Sequence, residues 1–243
     1  MIGTASYSDI GGRERNEDHY KQTLGGTKGI CMVLADGLGG HGNGELASEM
    51  ACKTICNNWK GQADRNELIG LVQEAQKQVL SLHNRYYSMK TTVVVLTTDR
   101  VKAAWAHVGD SRLYHFHNKK LVFQTKDHSA SQIAVMLGDI TPDQIRFHED
   151  RSTVYRALGQ EGEIKVEAQE CELLPGHHAF LLCSDGFWEY VLEAEMEEDL
   201  KNAVSAEDWL NKMRARLKQR VPADNDNNTA AVLWQDSILE GIL

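Results

Sequence analysis

Apolar residues recur at helical spacing in some parts of the chain and form strand-like runs in others. The order of these two kinds of segment restricts the folds that the chain can adopt. Apolar residues at helical spacing predict an early pair of helices, at about 44–59 and 65–84, and a late pair, at about 194–203 and 206–220. β-rich segments separated by short polar turns predict strands at 30–35, 91–98, 101–108, 112–117, 120–124, 164–171, 179–184 and 229–234. A block of strands between helix pairs is typical of antiparallel sheets with helices outside them, and not of alternating βαβ units. We therefore expect an α+β fold.

The length and composition of the chain favour one domain over residues 1–243. The chain has 243 residues, of which 42% are hydrophobic and 25% charged, so it can bury a large core without disulfides or structural metals. It has only three prolines, with no Ser/Gly-rich linker and no repeat of fixed period. The polar segment from about 127 to 162, interrupted by Gly138, Pro142 and Gly159, is expected to be an irregular or small helical insertion.

Charge and apolar patterning exclude several classes of protein. The formal net charge is −9 and no basic stripe is present, which argues against a nucleic-acid partner. The apolar runs 30–35 and 93–96 are too short to cross a bilayer, and the N-terminus has no signal-peptide core. The five cysteines form no C-x-x-C pair, so they are expected to be small buried residues in a reducing cytoplasm.

Acidic residues stand beside turns or strand ends at five places: Glu17-Asp18, Asp36, Asp110, Asp185 and Asp226. At three of these, an apolar β-rich run meets an aspartate with a glycine next to it or one residue away. Carboxylates that converge repel one another unless cations lie between them, and ligands that are all oxygens select Mg²⁺ or Mn²⁺. A carboxylate shared by two ions, roughly 3.5–4 Å apart, would hold a bridging water that acts as a nucleophile.

Other interpretations of these patterns stay open on the residues alone. Gly37, Gly39 and Gly42 have the spacing of a dinucleotide-binding loop, although Asp36 would then face a pyrophosphate and no βαβ return follows. Each Asp-Gly pair taken singly is most often a turn. His115 and His117 could suggest zinc, but alternate histidines without a third ligand are more often surface residues.

Seven motifs in order carry a resemblance to a known family. They are RERNED (with Arg13, Asn16, Glu17 and Asp18), DGLGGHGNGELAS (36–48), GDSRLY (109–114), KDHS (126–129), RALG (156–159), SDGFWE (184–189) and DNNT (226–229). Together they closely resemble the PPM family, the type 2C metal-dependent Ser/Thr protein phosphatases, in its compact bacterial form. The resemblance extends from about residue 7 to 234 and implies a four-layer α-β-β-α sandwich, in which two antiparallel sheets are flanked by helix pairs.

The resemblance implies a role for each matching residue. Asp36 should bridge two ions, Mn²⁺ or Mg²⁺, and the Gly37 carbonyl should bind the first ion, with Asp185 and Asp226 on the second. Glu17 and Asp18 would support the pair directly or through water, and Asp110 with Asp185 would hold a weaker third ion. Arg13 matches the arginine that clamps the substrate phosphate, a role that suits a forked guanidinium.

The resemblance also implies an activity. Phosphoserine and phosphothreonine in proteins would be hydrolysed by direct attack of the bridging water, without a covalent phosphoenzyme. Leu38 stands where many eukaryotic members have a histidine that is proposed to protonate the leaving group, and His41 lies close to it in sequence. A pseudophosphatase that only binds phosphoproteins would have lost metal ligands, whereas every ligand that can be matched is present here.

The family context further implies partners. The segment 127–162 matches the family's flap, which lies beside the active site and varies with substrate. We expect a cytosolic monomer that opposes a bacterial Ser/Thr kinase and acts on that kinase's substrates, with regulators of secretion systems as a narrower possibility. No membrane partner is expected.

Overall fold

A computed structural model describes residues 2–25, 29–38, 43–84 and 88–237. In these ranges the strands are β1 (Ile2–Asp9), β2 (Asp18–Gly25), β3 (Gly29–Asp36), β4 (Val93–Thr98), β5 (Lys102–Val108), β6 (Arg112–His117), β7 (Lys120–Gln124), β8 (Glu167–Glu172), β9 (Gly176–Cys183) and β10 (Asn228–Ser237). The α-helices are α1 (Gly44–Asn58), α2 (Arg65–Ser81), α3 (Ala130–Leu137), α4 (Asp185–Trp188), α5 (Glu193–Lys201) and α6 (Ala206–Lys218). A 3₁₀ helix occupies Pro142–Phe147.

The strands form two five-stranded sheets, with the orders β1-β10-β9-β6-β7 and β2-β3-β4-β5-β8. Every pair of neighbouring strands is antiparallel. This arrangement rules out the dinucleotide-binding alternative, because β3 lies between two antiparallel neighbours, whereas a dinucleotide fold requires parallel βαβ units. Gly39 and Gly42, on which that alternative also depended, lie outside the described residues.

Three clusters of buried side chains define the four layers. Alternate residues of β3 point to opposite faces: Cys31, Val33 and Ala35 pack under α1 and α2, whereas Met32 and Leu34 face the second sheet. A third cluster covers the outer face of β6, β9 and β10 with α4, α5 and α6. The predicted α+β sandwich with helix pairs outside two antiparallel sheets is therefore confirmed.

Two strands, β1 and β2, were missing from the sequence prediction. Both are edge strands, and in β1 and most of β2 half-buried residues are interspersed with exposed ones, so neither contains the buried apolar run that marks β3. Their partners hold them in place, since β1 pairs with β10 and β2 with β3 through eight residues each. The register of β2 places Asp18 directly opposite Asp36.

The cysteines agree with the expectation of small, mostly buried residues. All five cysteines are free thiols, and four are buried, while Cys171 is half-buried. Cys52 and Cys56 share one face of α1, where their Sγ atoms donate to the carbonyls of His19 (3.3 Å) and Lys21 (3.6 Å). Among the described helices, none combines the length and apolar character that a membrane crossing requires.

Candidate metal centre

Five aspartates meet at one end of the sandwich, where strands begin or end. Asp18 begins β2 and Asp36 ends β3, while Asp110 lies in the turn from β5 to β6. Asp185 begins α4 directly after β9, and Asp226 lies two residues before β10. Because neighbouring strands are antiparallel, the start of one strand lies beside the end of the next, which brings residues distant in sequence to one edge.

The electrostatics of these side chains show how closely they are grouped. Burial, followed by the charges of the other four aspartates, raises the pKa of Asp36 well above its usual range. Burial, together with the nearby Asp185 and Asp226, raises the pKa of Asp18 to about 7, while burial and Asp226 raise the pKa of Asp185 to about 6. Burial and the Asp185 charge also raise the pKa of Asp110. Without a cation, such a group holds protons that dispersed carboxylates would release.

The unsatisfied oxygen of Asp18 tests whether these residues fit metal ions. Its Oδ2 accepts a hydrogen bond from Ser184 Oγ at 2.8 Å, but its Oδ1 is buried and has no hydrogen-bond partner among the described residues. A buried, unpaired carboxylate oxygen is costly unless something positive binds it. The donor set consists of oxygens, which matches hard ions such as Mg²⁺ and Mn²⁺. The residues therefore fit the predicted metals.

Gly37 lies where the chain passes against the start of α1. Its N–H donates to the Glu17 carbonyl at 3.0 Å, and the next residue, Leu38, donates to the Lys90 carbonyl at 2.9 Å. A Cβ atom at Gly37 would lie 2.4 Å from the carbonyl carbon of Gly44, which no side chain tolerates. Glycine is therefore required by packing as well as by the carbonyl role that the resemblance implies.

Glu17 has a structural contact in addition to its place beside the aspartates. Its Oε1 accepts the N–H of Gly44 at 3.1 Å, and its main-chain carbonyl accepts from Ser48 Oγ at 2.6 Å. The residue before α1, Asn43, has a left-handed conformation and gives no side-chain cap. The Glu17 carboxylate thus replaces the missing cap and places negative charge at the positive end of the helix.

Arg13 lies at the rim of the centre, in the connection between β1 and β2. Its Nη2 donates to Asp226 Oδ2 at 2.9 Å, and both side chains are about half exposed, at 55% and 46%. Asn227 holds this connection in place, because it accepts from the Glu17 N–H at 2.8 Å and donates to the carbonyls of Ile10 and Arg15. The sequence prediction quoted Asn227 in a motif but gave it no role.

A cleft of about 460 Å³ opens over the carboxylates. It is lined by Arg13, Glu14, Arg15, Glu17, Asp36, Gly37, Leu38, Asp110, Ser152, Val154, Asp185, Asp226 and Asn227. Ser152 and Val154 belong to the segment 127–162, and the neighbouring Arg151 donates to Glu189 at 2.9 Å. Burial, and then the charge of Asp185, raises the pKa of Glu189 to about 7. The insertion therefore contributes to the wall of the cleft.

A buried ion pair supports the turn that carries Asp110. Arg112 donates to both carboxylate oxygens of Asp127, at 2.8 and 2.7 Å, and its guanidinium lies 3.4 Å from the ring centre of Trp188. The Trp188 indole N–H in turn donates to the Asp110 carbonyl at 3.0 Å. Asp127 and Trp188 stand in the quoted motifs KDHS and SDGFWE, but the sequence prediction gave neither residue a role.

His107, His128 and Glu167 form a second group whose ligand atoms lie within 4.8 Å of one another. The two imidazole rings are stacked with only 2° between their planes, so their in-plane lone pairs do not converge on one ion. His128 Nδ1 accepts the Gly109 N–H at 3.0 Å, so its Nε2 carries the proton and faces Glu167 Oε1 at 3.1 Å. This group acts as a support for the Gly109 backbone and not as a metal site.

The surface interpretation of His115 was wrong. His115 is buried, and its Nε2 lies 2.9 Å from Nδ1 of His178, whose Nε2 lies 2.7 Å from the Leu174 carbonyl. His117 stacks on His178 with 4.5 Å between ring centres. The order of residues along β6 could not reveal the contact between His115 and His178, because His178 comes from the neighbouring β9. His41, the other histidine considered, lies outside the described residues.

The fold and the cleft together define a class of protein. Two antiparallel sheets between helix layers, with carboxylates gathered under an open polar cleft, suit a hydrolase that uses metal ions on an anionic substrate. Residues 6–229 match the family model for protein phosphatase 2C, and the chain belongs to this family.

Individual relatives agree with this assignment. The serine/threonine phosphatase Stp of Listeria innocua is 32% identical over 200 residues, which are 78% of this chain and 79% of Stp. The structure of Stp1 from Staphylococcus aureus has a TM-score of 0.85 at 26% identity, over 99% of this chain and 96% of Stp1.

Two further structures are informative. The catalytic domain of the phosphatase PstP, in complex with two manganese ions, has a TM-score of 0.79 at 27% identity, over 97% of this chain and 99% of that domain. PppA, a regulatory component of the type VI secretion system in Pseudomonas aeruginosa, has a TM-score of 0.75 at 26% identity, over 96% of each chain. The chain is a phosphoprotein phosphatase of a metal-dependent family that acts on phosphoserine and phosphothreonine.

Proposed function

We propose that this phosphatase binds two divalent ions, Mn²⁺ or Mg²⁺, at the candidate centre, with a third ion more weakly held. Asp36, the Gly37 carbonyl, Asp185 and Asp226 would hold the pair of ions. Asp18 and Glu17 would support them, and Asp110 with Asp185 would hold the third ion. The observation that carries the proposal is the group of five aspartates at one end of the sandwich, of which Asp18 and Asp110 are buried, and Asp18 has an unpaired carboxylate oxygen.

The ions, when bound, supply positive charge for the phosphoryl group and lower the pKa of water. The chain itself supplies orientation. Arg13 is half exposed at the rim, so its guanidinium can take a phosphate oxygen while keeping its contact with Asp226. Leu38 lines the cleft and its side chain has no proton to donate, so it cannot protonate the leaving serine or threonine oxygen.

We further propose that residues 1–243 form one phosphatase domain in which the segment 127–162 is the flap that selects protein substrates. Its support is that Ser152 and Val154 line the cleft. The enzyme would act as a monomer in the cytoplasm, opposite a bacterial Ser/Thr kinase and on that kinase's substrates. The likeness to PppA favours regulators of secretion systems as one group of substrates.

Hydrolysis of p-nitrophenyl phosphate by the purified chain tests the metal centre. We expect turnover with Mn²⁺ or Mg²⁺, no turnover in EDTA, and none in Asp36→Asn or Asp185→Asn. Asp208→Asn on α6, outside the group of five aspartates, is the matched control and should retain full activity. Unchanged turnover in EDTA, or in both site variants, would refute the metal mechanism.

A matched set of phosphopeptides tests the substrate class. Three peptides that differ only in carrying phosphoserine, phosphothreonine or phosphotyrosine should be assayed by phosphate release with Mn²⁺. We expect the first two to be hydrolysed at least about tenfold faster than the third, a difference of roughly 1.4 kcal/mol in transition-state binding. Preference for phosphotyrosine would contradict the proposal.

A further inference from the structure

The peptide groups of Asp36 are held by two threonines that precede β4. Thr92 Oγ1 accepts the Asp36 N–H at 3.0 Å, and the Thr92 N–H donates to the Asp36 carbonyl at 2.8 Å. Thr91 Oγ1 donates to the same carbonyl at 2.9 Å. The N–H and the carbonyl of Asp36 are therefore both held by hydrogen bonds, and its carboxylate projects from a fixed main chain.

Thr92 also contacts the turn that carries Asp110. Its Oγ1 lies 2.7 Å from Ser111 Oγ, and the two hydroxyl-bearing residues are almost completely buried, at 0% and 1% exposure. Gly109 approaches so closely that a Cβ atom there would lie 2.6 Å from Thr92 Cβ, and its φ of +109° is one that only glycine adopts readily. Thr92 is thus packed between the backbone of Asp36 and the turn of Asp110.

The hydrogen bonds make the hydroxyl groups difficult to replace. Thr92 Oγ1 accepts the Asp36 N–H with one lone pair, and a single proton joins it to Ser111 Oγ. Valine has nearly the same shape as threonine but cannot accept, so it would leave the Asp36 N–H buried and unpaired. A buried donor without an acceptor moves toward another partner or distorts the chain that carries it.

We propose that Thr92 is a positioning residue for the metal centre, and that the Thr92–Ser111 hydroxyl pair sets the placement of Asp36 relative to Asp110. This inference rests on the proposed function, because it takes both aspartates as ligands. Replacement of a residue that holds a metal ligand in position, without itself binding the metal, typically changes metal affinity by ~10- to 100-fold. Thr92 touches no substrate and takes no part in proton transfer.

Titration calorimetry of the full chain with MnCl₂, after removal of bound metal with EDTA, measures the effect without enzyme activity. We expect Thr92→Val to weaken Mn²⁺ binding by ~10- to 100-fold. Thr92→Ser keeps the hydroxyl and should remain within about threefold of the wild type, since the acceptor for the Asp36 N–H is restored. Ser111→Ala removes only the partner hydroxyl and should weaken binding about fivefold.

Thr97→Val is the matched control. Thr97 is equally buried on β4, but its hydroxyl donates to the Ala104 carbonyl at 3.3 Å and not toward Asp36. Its Mn²⁺ affinity should equal that of the wild type, while its melting temperature in EDTA should fall about as much as that of Thr92→Val. Equal affinity of Thr92→Val and the wild type, or equal weakening in the control, would overturn the proposal.

Two outcomes separate this inference from the proposed function. If the wild-type chain binds no Mn²⁺, the metal centre itself is wrong. If the wild type binds Mn²⁺ and hydrolyses phosphopeptides while Thr92→Val and Ser111→Ala bind equally well, only the positioning role is wrong. Should Thr92→Val show no cooperative unfolding transition, Ser111→Ala, which keeps the bond to Asp36, decides the question by the same titration.

Discussion

The buried histidine pair predicts how stability depends on pH. His178 Nε2 must donate to the Leu174 carbonyl, so its Nδ1 accepts, and His115 Nε2–H donates to it at 2.9 Å. A proton added to His178 Nδ1 would meet the His115 N–H. A proton added to His115 would place a buried charge among aromatic rings, since the His115 ring stacks on Phe180 with 4.2 Å between ring centres. The pair is therefore stable only when both rings are neutral.

The pKa of His115 gives the size of the effect. Burial, followed by the neighbouring His178 and His117, lowers its pKa to about 3. Because the folded state binds this proton less readily than the unfolded chain, whose pKa is ~6.5, the full stability is present above about pH 6.5 and is lost as pH falls toward 3. At about pH 4.5 the loss from this residue is roughly 3 kcal/mol in the free energy of unfolding.

The effect of pH on stability has the opposite sign for the aspartates of the metal centre. Their raised pKa values mean that the metal-free folded state binds protons more readily than the unfolded chain, so their contribution favours stability at low pH. The total pH profile of the wild type therefore mixes two opposite trends. A variant that removes only the histidine isolates the first trend, because the aspartate contribution is common to both proteins and cancels.

Urea unfolding of the wild type and His115→Phe, in EDTA at about pH 7.5 and about pH 4.5, provides the measurement. At the higher pH the variant should be less stable by ~1–3 kcal/mol, because His178 Nδ1 loses its donor. At the lower pH the difference should shift by roughly 3 kcal/mol in favour of the variant. His148→Phe replaces a histidine outside the cluster and controls for the loss of a histidine as such. A difference that is the same at both pH values would refute the reasoning.

Three shorter predictions follow from other contacts. Arg13→Ala should lower kcat/KM for p-nitrophenyl phosphate by ~10- to 150-fold, which corresponds to about 1.5–3 kcal/mol for charged hydrogen bonds. The free energy of unfolding should change by less than about 1 kcal/mol, because the Arg13 side chain is half exposed. Unchanged kinetics would contradict the clamp role. Asp127→Asn should cost about 3–5 kcal/mol in urea unfolding, since the buried Arg112 charge loses its bidentate partner and keeps only the more distant Glu193 carboxylate at 3.7 Å; a loss below about 1 kcal/mol would show that the pair is not structural. Glu17→Gln should change the free energy of unfolding in EDTA by less than about 1 kcal/mol, because the lost negative charge at the N-terminus of α1 is offset by the removal of a carboxylate whose pKa is raised, first of all by burial; a loss above about 2 kcal/mol would contradict this balance.

The spacing of apolar residues along the sequence predicted much of the fold. Residues of β3 are buried on both faces, and the helices have clear apolar faces, so local composition alone marks these elements. The edge strands β1 and β2 have no such signal, because each pairs with one strand only and, apart from Asp18, their residues are half-buried or exposed. Their positions depend on pairing with residues far away in the chain.

The sequence by itself identified Asp36, Asp110 and Asp185 and the order of most helices and strands, because an aspartate after an apolar run and near a glycine is a local pattern. Only the tertiary structure decided what holds those aspartates. Thr92 and Ser111 are 19 positions apart, and Asn227 lies 210 positions from Glu17, which it binds. A hydroxyl or amide has no sequence signature that names its partner, since strand register and loop closure alone bring the two together.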